Sequence, residues 1–402
     1  MMKEFKDRYK LNNKEHKNTF SFKELLFITA IFGFVVCGLT TLIVFNITKS
    51  YAFDKNLNDI VKSYNEITNT YYKDVDTKDL ADSAIDGMLE YLDENYSKYL
   101  DTKETESLND SLSDSYKGIG IVVYNNGENY VVYSVVKNSE SDRAGIKKND
   151  IIKSINGVTI TKDMETSELT GMINKSSKVN IVVIREEKEL SFDIEVKNVS
   201  IPVVSSKTLS KNNKKIGYIY LSSFTKNIYN QFKDALEELE HDNIDSLIID
   251  LRDNTGGYLS GVQEISDLFI KKDKVLYSLE YKDSTKVIKT KTDDYKTYPI
   301  VVLVNEYTAS ASEVLTLALK ESYGATVIGT KTFGKGKVQV TSTLSDDTMI
   351  KYTTAKWYSP NNNNIDEIGI KPGITVKQSL DFILTKDSND LQLEKALDYI
   401  TK

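Results

Sequence analysis

The chain has 402 residues, of which 40% are hydrophobic and 28% are charged, so it can bury the core of two or three domains. One cysteine and two histidines exclude a disulfide framework, a thiolate metal cluster and a histidine-based zinc site, so we expect no metal and no cofactor. The net charge of −7 argues against nucleic acid as the main partner, because binding phosphates requires clustered lysine and arginine.

The first predicted element is an apolar helix near the start of the chain. Residues 25–47 include no charged residue, and about 20 apolar residues suffice to cross a bilayer. We therefore predict a single transmembrane helix, with a cleavable signal peptide as the alternative. Residues 1–24 carry seven basic and four acidic side chains, so the positive-inside rule predicts a cytoplasmic tail. The chain after residue 47 is then expected outside the cytoplasm, attached to the cell membrane.

The next segment, residues 48–114, is predicted to be a helical arm. Apolar residues recur there at spacings of three and four, which is typical of amphipathic helices. Periodicity alone fits a stalk as well as a dimerisation arm. A homodimer that pairs through these helices is therefore one expected assembly.

Residues 115–200 are predicted to form a small, barrel-like β domain, because short strand-like runs alternate there with turns. The order YKGIGI, DRAGIKKNDIIKSINGV, a helix and VNIVVIRE resembles a PDZ domain. That resemblance implies a loop whose N–H groups bind the C-terminal carboxylate of a peptide, which then adds to the sheet as a strand. The loop and the first strand residue would be Lys117, Gly118, Ile119, Gly120 and Ile121. A β domain that binds no ligand is the alternative.

Residues 201–376 are predicted to form an α/β layer. Apolar strands such as SLIIDLR and YPIVVLVN alternate there with amphipathic helices, which is typical of a sheet covered by helices. Residues 377–402 are predicted to add a closing helical segment. The fold class expected for the whole chain is therefore a multi-domain α/β protein with an N-terminal transmembrane helix.

Ser310 lies at a predicted strand-to-helix turn of this layer, between small residues. Unpaired N–H groups and the positive end of the helix dipole at such a turn would stabilise an oxyanion formed when the hydroxyl attacks a carbonyl. The position therefore suits a nucleophile. A serine that only caps the helix is the alternative.

A serine nucleophile needs a base, and Lys335 is the candidate. His241 lies in a charged helix-to-strand connection, which is typical of solvent-exposed residues. Lys335 stands between two glycines, and its amine can act as a base if burial keeps it neutral. An exposed loop lysine is the alternative. The spacing from Gly329 to Lys335 also imitates a phosphate-binding loop, but Gly336 stands where that motif needs serine or threonine.

Three ordered motifs resemble those of the carboxyl-terminal processing proteases, the tail-specific serine peptidases of the S41 type. They are DLRDNTGG at residues 250–257, TASASE at residues 308–313 and FGKGKVQ at residues 333–339. The resemblance implies a crotonase/ClpP-like α/β core. The site residues that it implies are Ser310 as nucleophile, Lys335 as general base, Gln339 orienting the lysine, and an oxyanion hole formed by Ala311 with Gly256 or Gly257.

The resemblance predicts a membrane-anchored serine endopeptidase with a Ser–Lys dyad, cleaving extracytoplasmic proteins at or near free or unstructured C-termini. The PDZ domain would recognise the tail, and Arg185 would couple that domain to the core, with a surface salt bridge as the alternative. A PDZ scaffold that captures tails without cleaving them is the rival function. One departure from the family is the run Asp93-Glu94-Asn95-Tyr96-Ser97, where the family often has Asp-Pro-His.

Overall fold

The computed structural model describes residues 22–52, 54–345, 347–379, 382 and 389–402. The chain divides into two compact units, Met1–Met88 and Leu89–Lys402, and the second unit holds every candidate site residue. The predicted cytoplasmic tail, residues 1–24, lies outside the described residues except for its last three positions.

The helices of the first unit are α1 (Phe22–Ala52), α2 (Lys55–Thr70) and most of α3 (Thr77–Glu90). Within α1, the stretch Leu26–Ile43 is long and apolar enough to cross a membrane. Helix α2 begins after Asp54, whose carboxylate accepts the N–H groups of Asn56 and Leu57 and so caps the helix. Helix α2 buries none of its residues within the described structure, and dimerisation through these helices stays a prediction.

The predicted helical arm is interrupted before its end. A short strand, β1 (Lys98–Leu100), precedes helix α4 (Thr102–Leu112). Three residues are too few for a period-2 pattern to stand out in the sequence. The strand forms because it pairs with a partner about 250 residues further along the chain, at Met349–Lys351.

The region between residues 115 and 200 is a β-rich domain with two helices. Its strands are β2 (Ser115–Gly118), β3 (Ile121–Asn125), β4 (Tyr130–Val135), β5 (Ile151–Ile155), β6 (Val158–Thr159), β7 (Lys178–Arg185), β8 (Lys188–Glu195) and β9 (Lys197–Ser200). Its helices are α5 (Glu140–Ala144) and α6 (Thr166–Asn174). The strands pair in the order β3-β4-β5-β7-β8, with β6 beside β5 and β2 beside β9. Closure of this sheet into a barrel stays a prediction.

The remaining region is a mixed α/β core. Its strands are β10 (Val204–Lys211), β11 (Lys214–Leu221), β12 (Ser246–Asp250), β13 (Val275–Tyr281), β14 (Thr285–Lys289), β15 (Ile300–Val304), β16 (Thr326–Gly329), β17 (Lys337–Ser345), β18 (Thr348–Tyr358) and β19 (Ile374–Thr375). Its helices are α7 (Ile228–His241), α8 (Ser260–Asp267), α9 (Ala311–Leu317), which continues as a π-helix through Ala318–Tyr323, and α10 (Leu391–Ile400). The likeness to a crotonase/ClpP-like core stays a prediction.

The main sheet of this core has the order β10-β11-β12-β15-β16-β19, and its strands from β11 to β19 run parallel. Strands β12 and β15 are buried along their whole length, as their continuous apolar sequences predict. Alternate residues of β12 belong to two different hydrophobic clusters. Leu247 and Ile249 pack with α7, α8 and α9, whereas Ile248 packs with α10. The carboxyl ends of β12, β15 and β16 therefore lie side by side and bring their loops together.

A second sheet has the order β1-β18-β13-β14, with β17 also paired to β18. It carries the residues that follow Lys335, because β17 begins two positions later. Strand β18 pairs both with β1 and with β17. It therefore brings the turn at residues 93–97, which precedes β1, beside the Lys335 loop, which precedes β17.

Candidate active site

Ser310 lies in a strained turn between β15 and α9. Its backbone has φ 56° and ψ −121°, a left-handed conformation that non-glycine residues rarely adopt. Such strain costs about 1–3 kcal/mol and persists only where the surroundings fix it. The Ser310 N–H donates to the carboxylate of Glu313 at 2.9 Å. The turn thus holds the half-buried side chain of Ser310 at the start of a helix.

Glu313 connects the Ser310 turn with the Lys335 loop. One of its oxygens accepts the N–H groups of Ser310 and Lys335, each at 2.9 Å. The other accepts the hydroxyl of Thr332 at 2.6 Å and the N–H of Gly334 at 2.8 Å. Glu313 is fully buried, and burial raises its pKa, although these hydrogen bonds act in the opposite direction. The two candidate catalytic residues therefore lie on adjacent, hydrogen-bonded loops.

The connecting role of Glu313 was not predicted from the sequence. Its position three residues after Ser310 is the spacing of a capping box. That spacing explains the bond to the Ser310 N–H. The bonds to the other loop span 19 to 22 residues and depend on tertiary structure.

The side chain of Lys335 is partly buried. Burial lowers its pKa, the charge of Lys351 lowers it further, and the carboxylates of Glu313 and Glu94 oppose both effects. Its ammonium nitrogen lies 5.2 Å from the centre of the Tyr96 ring. The hydrogen bonds of the described residues do not include one between Ser310 Oγ and Lys335 Nζ, so the structure brings the loops together without joining the two side chains.

Gln339 lies on β17, opposite Thr353 of β18. Its amide nitrogen donates to the Thr353 hydroxyl at 3.1 Å, and that hydroxyl donates to Glu94 at 2.8 Å. No hydrogen bond between Gln339 and Lys335 occurs within the described part of the chain. Orientation of the lysine by Gln339 stays a prediction.

The glycine loop after β12 contacts the Ser310 turn directly. A Cβ on Gly256 would lie 2.8 Å from the Cβ of Ser310 and 3.0 Å from the nitrogen of Ala311, so only glycine allows this approach. The Gly256 N–H donates to the side chain of Asn254 at 2.9 Å. The hydrogen bonds among the described residues use neither the Gly257 N–H nor the Ala311 N–H. Of the two glycines predicted for the oxyanion hole, Gly257 is therefore the one whose N–H is available.

Arg252 connects the carboxyl end of β12 to the last helix, α10. Its guanidinium donates to Asp250 and, at 2.8 Å through both terminal nitrogens, to Asp390. Asp390 also accepts the N–H of Leu393 and so caps α10. The loop that carries the candidate oxyanion glycines is thus anchored by residues 138 positions further along the chain.

The predicted tail-binding loop lies beside an apolar groove between β3 and α6, with a cavity of about 80 Å³. Its apolar lining consists of Ile119, Ile121, Val123, Ile152, Ile155, Leu169 and Ile173. Lys117 donates to the carbonyl of Asn174 at 3.0 Å, and Gly118 pairs with Lys197 of β9. Gly120 has φ 86°, and a Cβ there would clash with Ser139. The loop conformation therefore requires the predicted glycine at this position.

Arg185 forms its contacts inside the β-rich domain. Its guanidinium donates to both carboxylate oxygens of the buried Asp150 at 2.6 Å and to the carbonyl of Gly145 at 2.8 Å. Within the described residues it forms no hydrogen bond or ion pair with the α/β core. Coupling of the two domains by Arg185 stays a prediction.

Sequence models of three families match the chain. The description "Peptidase family S41" matches residues 215–376, "PDZ domain" matches residues 117–196 and "Activating protease CtpB N-terminal domain" matches residues 45–105. The first range contains Ser310 and Lys335, and the second contains the predicted tail-binding loop.

Curated relatives agree with these matches. The carboxy-terminal processing protease CtpB of Bacillus subtilis is 37% identical over 330 residues, which cover 81% of this chain and 68% of the relative. CtpA of the same organism is 35% identical over 359 residues, covering 87% and 76%. The chain belongs to the carboxy-terminal processing proteases of peptidase family S41. A probable CtpA-like serine protease of Staphylococcus aureus is 36% identical over 335 residues, covering 80% of this protease and 65% of the relative.

A solved structure shares the fold of this S41 protease. The photosystem II D1 C-terminal processing protease superimposes with a TM-score of 0.50 at 23% identity, covering 87% of this chain and 92% of that one. The predicted family, with its PDZ domain and α/β protease core, is therefore confirmed.

Proposed function

We propose that this protease uses Ser310 as its nucleophile and Lys335 as its general base. The observation that carries the proposal is the carboxylate of Glu313, which accepts the backbone N–H of both residues and keeps their loops adjacent. Burial and the charge of Lys351 lower the pKa of Lys335, which increases the neutral fraction of its amine near neutral pH.

The reaction would pass through an acyl-enzyme. The neutral amine of Lys335 takes the hydroxyl proton of Ser310 as Oγ bonds to the carbonyl carbon of the scissile peptide. The oxyanion accepts hydrogen bonds from the N–H groups of Ala311 and Gly257. The ammonium then protonates the leaving amine as the C–N bond breaks. Water that is deprotonated by the same lysine hydrolyses the ester and restores the enzyme.

Gln339 remains our candidate for the residue that orients the lysine. Its amide nitrogen already donates to Thr353, which fixes the plane of the amide. Its carbonyl oxygen is therefore the atom left to accept a hydrogen bond from Lys335 Nζ.

We further propose that the PDZ domain recognises the free C-terminal tail of a protein substrate, which is then cleaved at or near that end. The apolar groove beside the Gly118–Gly120 loop supports this role, because a tail added along β3 would place alternate side chains in it. The apolar stretch Leu26–Ile43 would anchor the enzyme in the cell membrane as a single span. The basic excess before it supports a cytoplasmic N-terminus and an extracytoplasmic catalytic unit.

The test is proteolysis of an unstructured protein by the full-length chain in detergent. We expect Ser310→Ala and Lys335→Ala each to lose at least about a thousandfold in kcat/KM. The neighbouring Ser312→Ala and the exposed loop variant Lys331→Ala are the matched controls and should retain activity. Amidation of the substrate's C-terminus should raise KM, because the amide lacks the carboxylate that the loop would bind.

Activity that survives both Ser310→Ala and Lys335→Ala would refute the dyad. Tail binding without cleavage by the parent protein would instead support the rival function, a scaffold that captures C-termini.

A further inference from the structure

Tyr96 lies directly beside the candidate base. Lys335 Nζ is 5.2 Å from the centre of its ring, and Lys337 Nζ is 5.6 Å from the same point. Both distances fall within the range in which an aromatic face attracts a cation, about 6 Å. The ring is partly buried, so water screens this attraction less than it would at an exposed site.

The turn that carries Tyr96 is fixed to strand β18. The N–H of Thr353 donates to the Ser97 hydroxyl at 3.1 Å, and the Thr353 hydroxyl donates to Glu94 at 2.8 Å. Residues on both sides of Tyr96 are therefore held to the same position of the strand. The ring does not depend on its own hydroxyl to stay in place beside Lys335.

The two lysines at the ring differ in their other partners. Lys337 forms ion pairs with Glu94 at 3.7 Å and with Asp366 at 3.5 Å. Lys335 forms no ion pair with any residue that the structure describes. The face of Tyr96 is thus a direct favourable contact of the Lys335 ammonium, which Glu94 and Glu313 favour only from beyond ion-pair distance, whereas the ring is a secondary contact for Lys337.

We propose that Tyr96 is a positioning residue that holds the protonated side chain of Lys335 away from Ser310 until the amine loses its proton. The proposal rests on the function proposed above, in which Lys335 is the general base. An aromatic face attracts the ammonium and not the neutral amine. Deprotonation therefore releases the side chain to reach the Ser310 hydroxyl, so the ring couples the position of the base to its protonation state.

Other charges also act on Lys335, and they remain in place when the ring is removed. The charged groups that face Lys335 or Tyr96 from neighbouring elements are Glu94 of the same turn, Glu313 of α9, Lys337 of β17, Lys351 of β18, and Asp366 and Glu367 of the following loop. An aliphatic residue at position 96 removes the ring and its hydroxyl, and Tyr96→Phe removes the hydroxyl alone. A variant without an aromatic face should therefore have a lower Lys335 pKa, since the ammonium loses its favourable contact.

The experiment measures the protonation of Lys335 directly in the full-length protein in detergent. Acetic anhydride acetylates only neutral amines, so the yield at Lys335 against pH, read by mass spectrometry, gives its pKa without requiring catalysis. We expect Tyr96→Leu and Tyr96→Met to lower this pKa by about half a unit to one unit. Tyr96→Phe and Tyr96→Trp should keep the parent value, because both retain an aromatic face.

A matched control is Tyr133→Leu, which removes a second lysine–tyrosine pair of the same spacing, Lys148 Nζ at 5.2 Å from the Tyr133 ring. It should leave the Lys335 pKa unchanged. The ascending limb of kcat/KM against pH should move with the labelling pKa in the aliphatic variants. A labelling pKa that is the same in all four Tyr96 variants, or that falls in Tyr96→Phe as much as in Tyr96→Leu, would overturn the proposal. Full activity of Lys335→Ala would refute the proposed function instead, and the labelling result would still report on the ring.

Discussion

Glu313 and Asp390 are both carboxylates of the catalytic unit that are largely shielded from solvent, and they are stabilised in opposite ways. Glu313 accepts four hydrogen bonds from uncharged donors, whereas Asp390 forms a bidentate ion pair with Arg252. Burial raises the pKa of Glu313. Burial also acts on Asp390, but the hydrogen bonds and charge of Arg252 outweigh it and lower that pKa. The comparison indicates that the hydrogen bonds to Glu313 set the geometry of the candidate site. The ion pair between Asp390 and Arg252 instead holds the neighbouring strand end to the last helix.

Among the substitutions that test this comparison of two carboxylates, Glu313→Gln is expected to have the largest effect. An amide in place of the carboxylate replaces one acceptor oxygen by an NH₂ group. Two of the four donors of the Ser310 turn and the Lys335 loop are then left without an acceptor. Each lost bond costs about 1–3 kcal/mol, so we expect kcat/KM to fall by at least about thirtyfold.

The matched control for this change is Glu264→Gln, on the exposed face of α8, which should behave like the parent. Activity of Glu313→Gln within threefold of the parent would show that the carboxylate does not set the site's geometry. Thermal melting of both variants separates a local change from unfolding.

A smaller effect is expected for Asp390→Asn. Asparagine can still cap α10, but it loses the charge that pairs with Arg252. We expect the free energy of unfolding to fall by about 2 kcal/mol at neutral pH, with a smaller loss of activity than for Glu313→Gln. Because the pKa of Asp390 is lowered from 3.8, its contribution is present above that pH and is lost as the pH falls below it.

Thermal melting between pH 3 and pH 7 tests this prediction. The difference between Asp390→Asn and the parent should narrow at acid pH. Asp398 lies on the helix that Asp390 caps and forms an exposed pair with Lys211 of β10, so Asp398→Asn should cause no measurable change. A constant difference across the pH range would contradict the role assigned to the charge.

The smallest expected effect comes from Lys351→Gln. The positive charge of Lys351 lowers the pKa of Lys335, so its removal should raise that pKa. The ascending limb of kcat/KM against pH should then move upward by about half a unit. Lys356→Gln, exposed on the same strand, is the control. An unchanged limb in Lys351→Gln would show that charges near the site are screened as effectively as those at the surface.

The main sheet and the loops that follow its strands could be predicted from sequence because their signals are local. The continuous apolar runs of β12 and β15 predict buried parallel strands, and the motifs after them predict the positions of Ser310 and the glycine loop. The helix after the predicted strand-to-helix turn begins directly after Ser310, but its second half is a π-helix. Periodicity alone does not separate these two helical geometries.

The connections between distant segments could not be predicted. The bonds of Glu313 to the Lys335 loop, the pair of Arg252 with Asp390, and the packing of Tyr96 against Lys335 each join residues far apart in the chain. A pattern of hydrophobic and polar residues contains no information about such partners. The run Asp93–Ser97 was noted as a departure from the family pattern, and only the tertiary structure places it beside the candidate base.

The packing of α10 has a consequence for how the main sheet folds. Ala396 and Ile400 complete the cluster under one face of the main sheet, and the strands of that cluster begin at Ile216. That face stays open to water until residues 391–400 pack on it, so the main sheet is complete only after α10 has docked. The sheet that carries the candidate site therefore depends on α10 to exclude water from one of its faces.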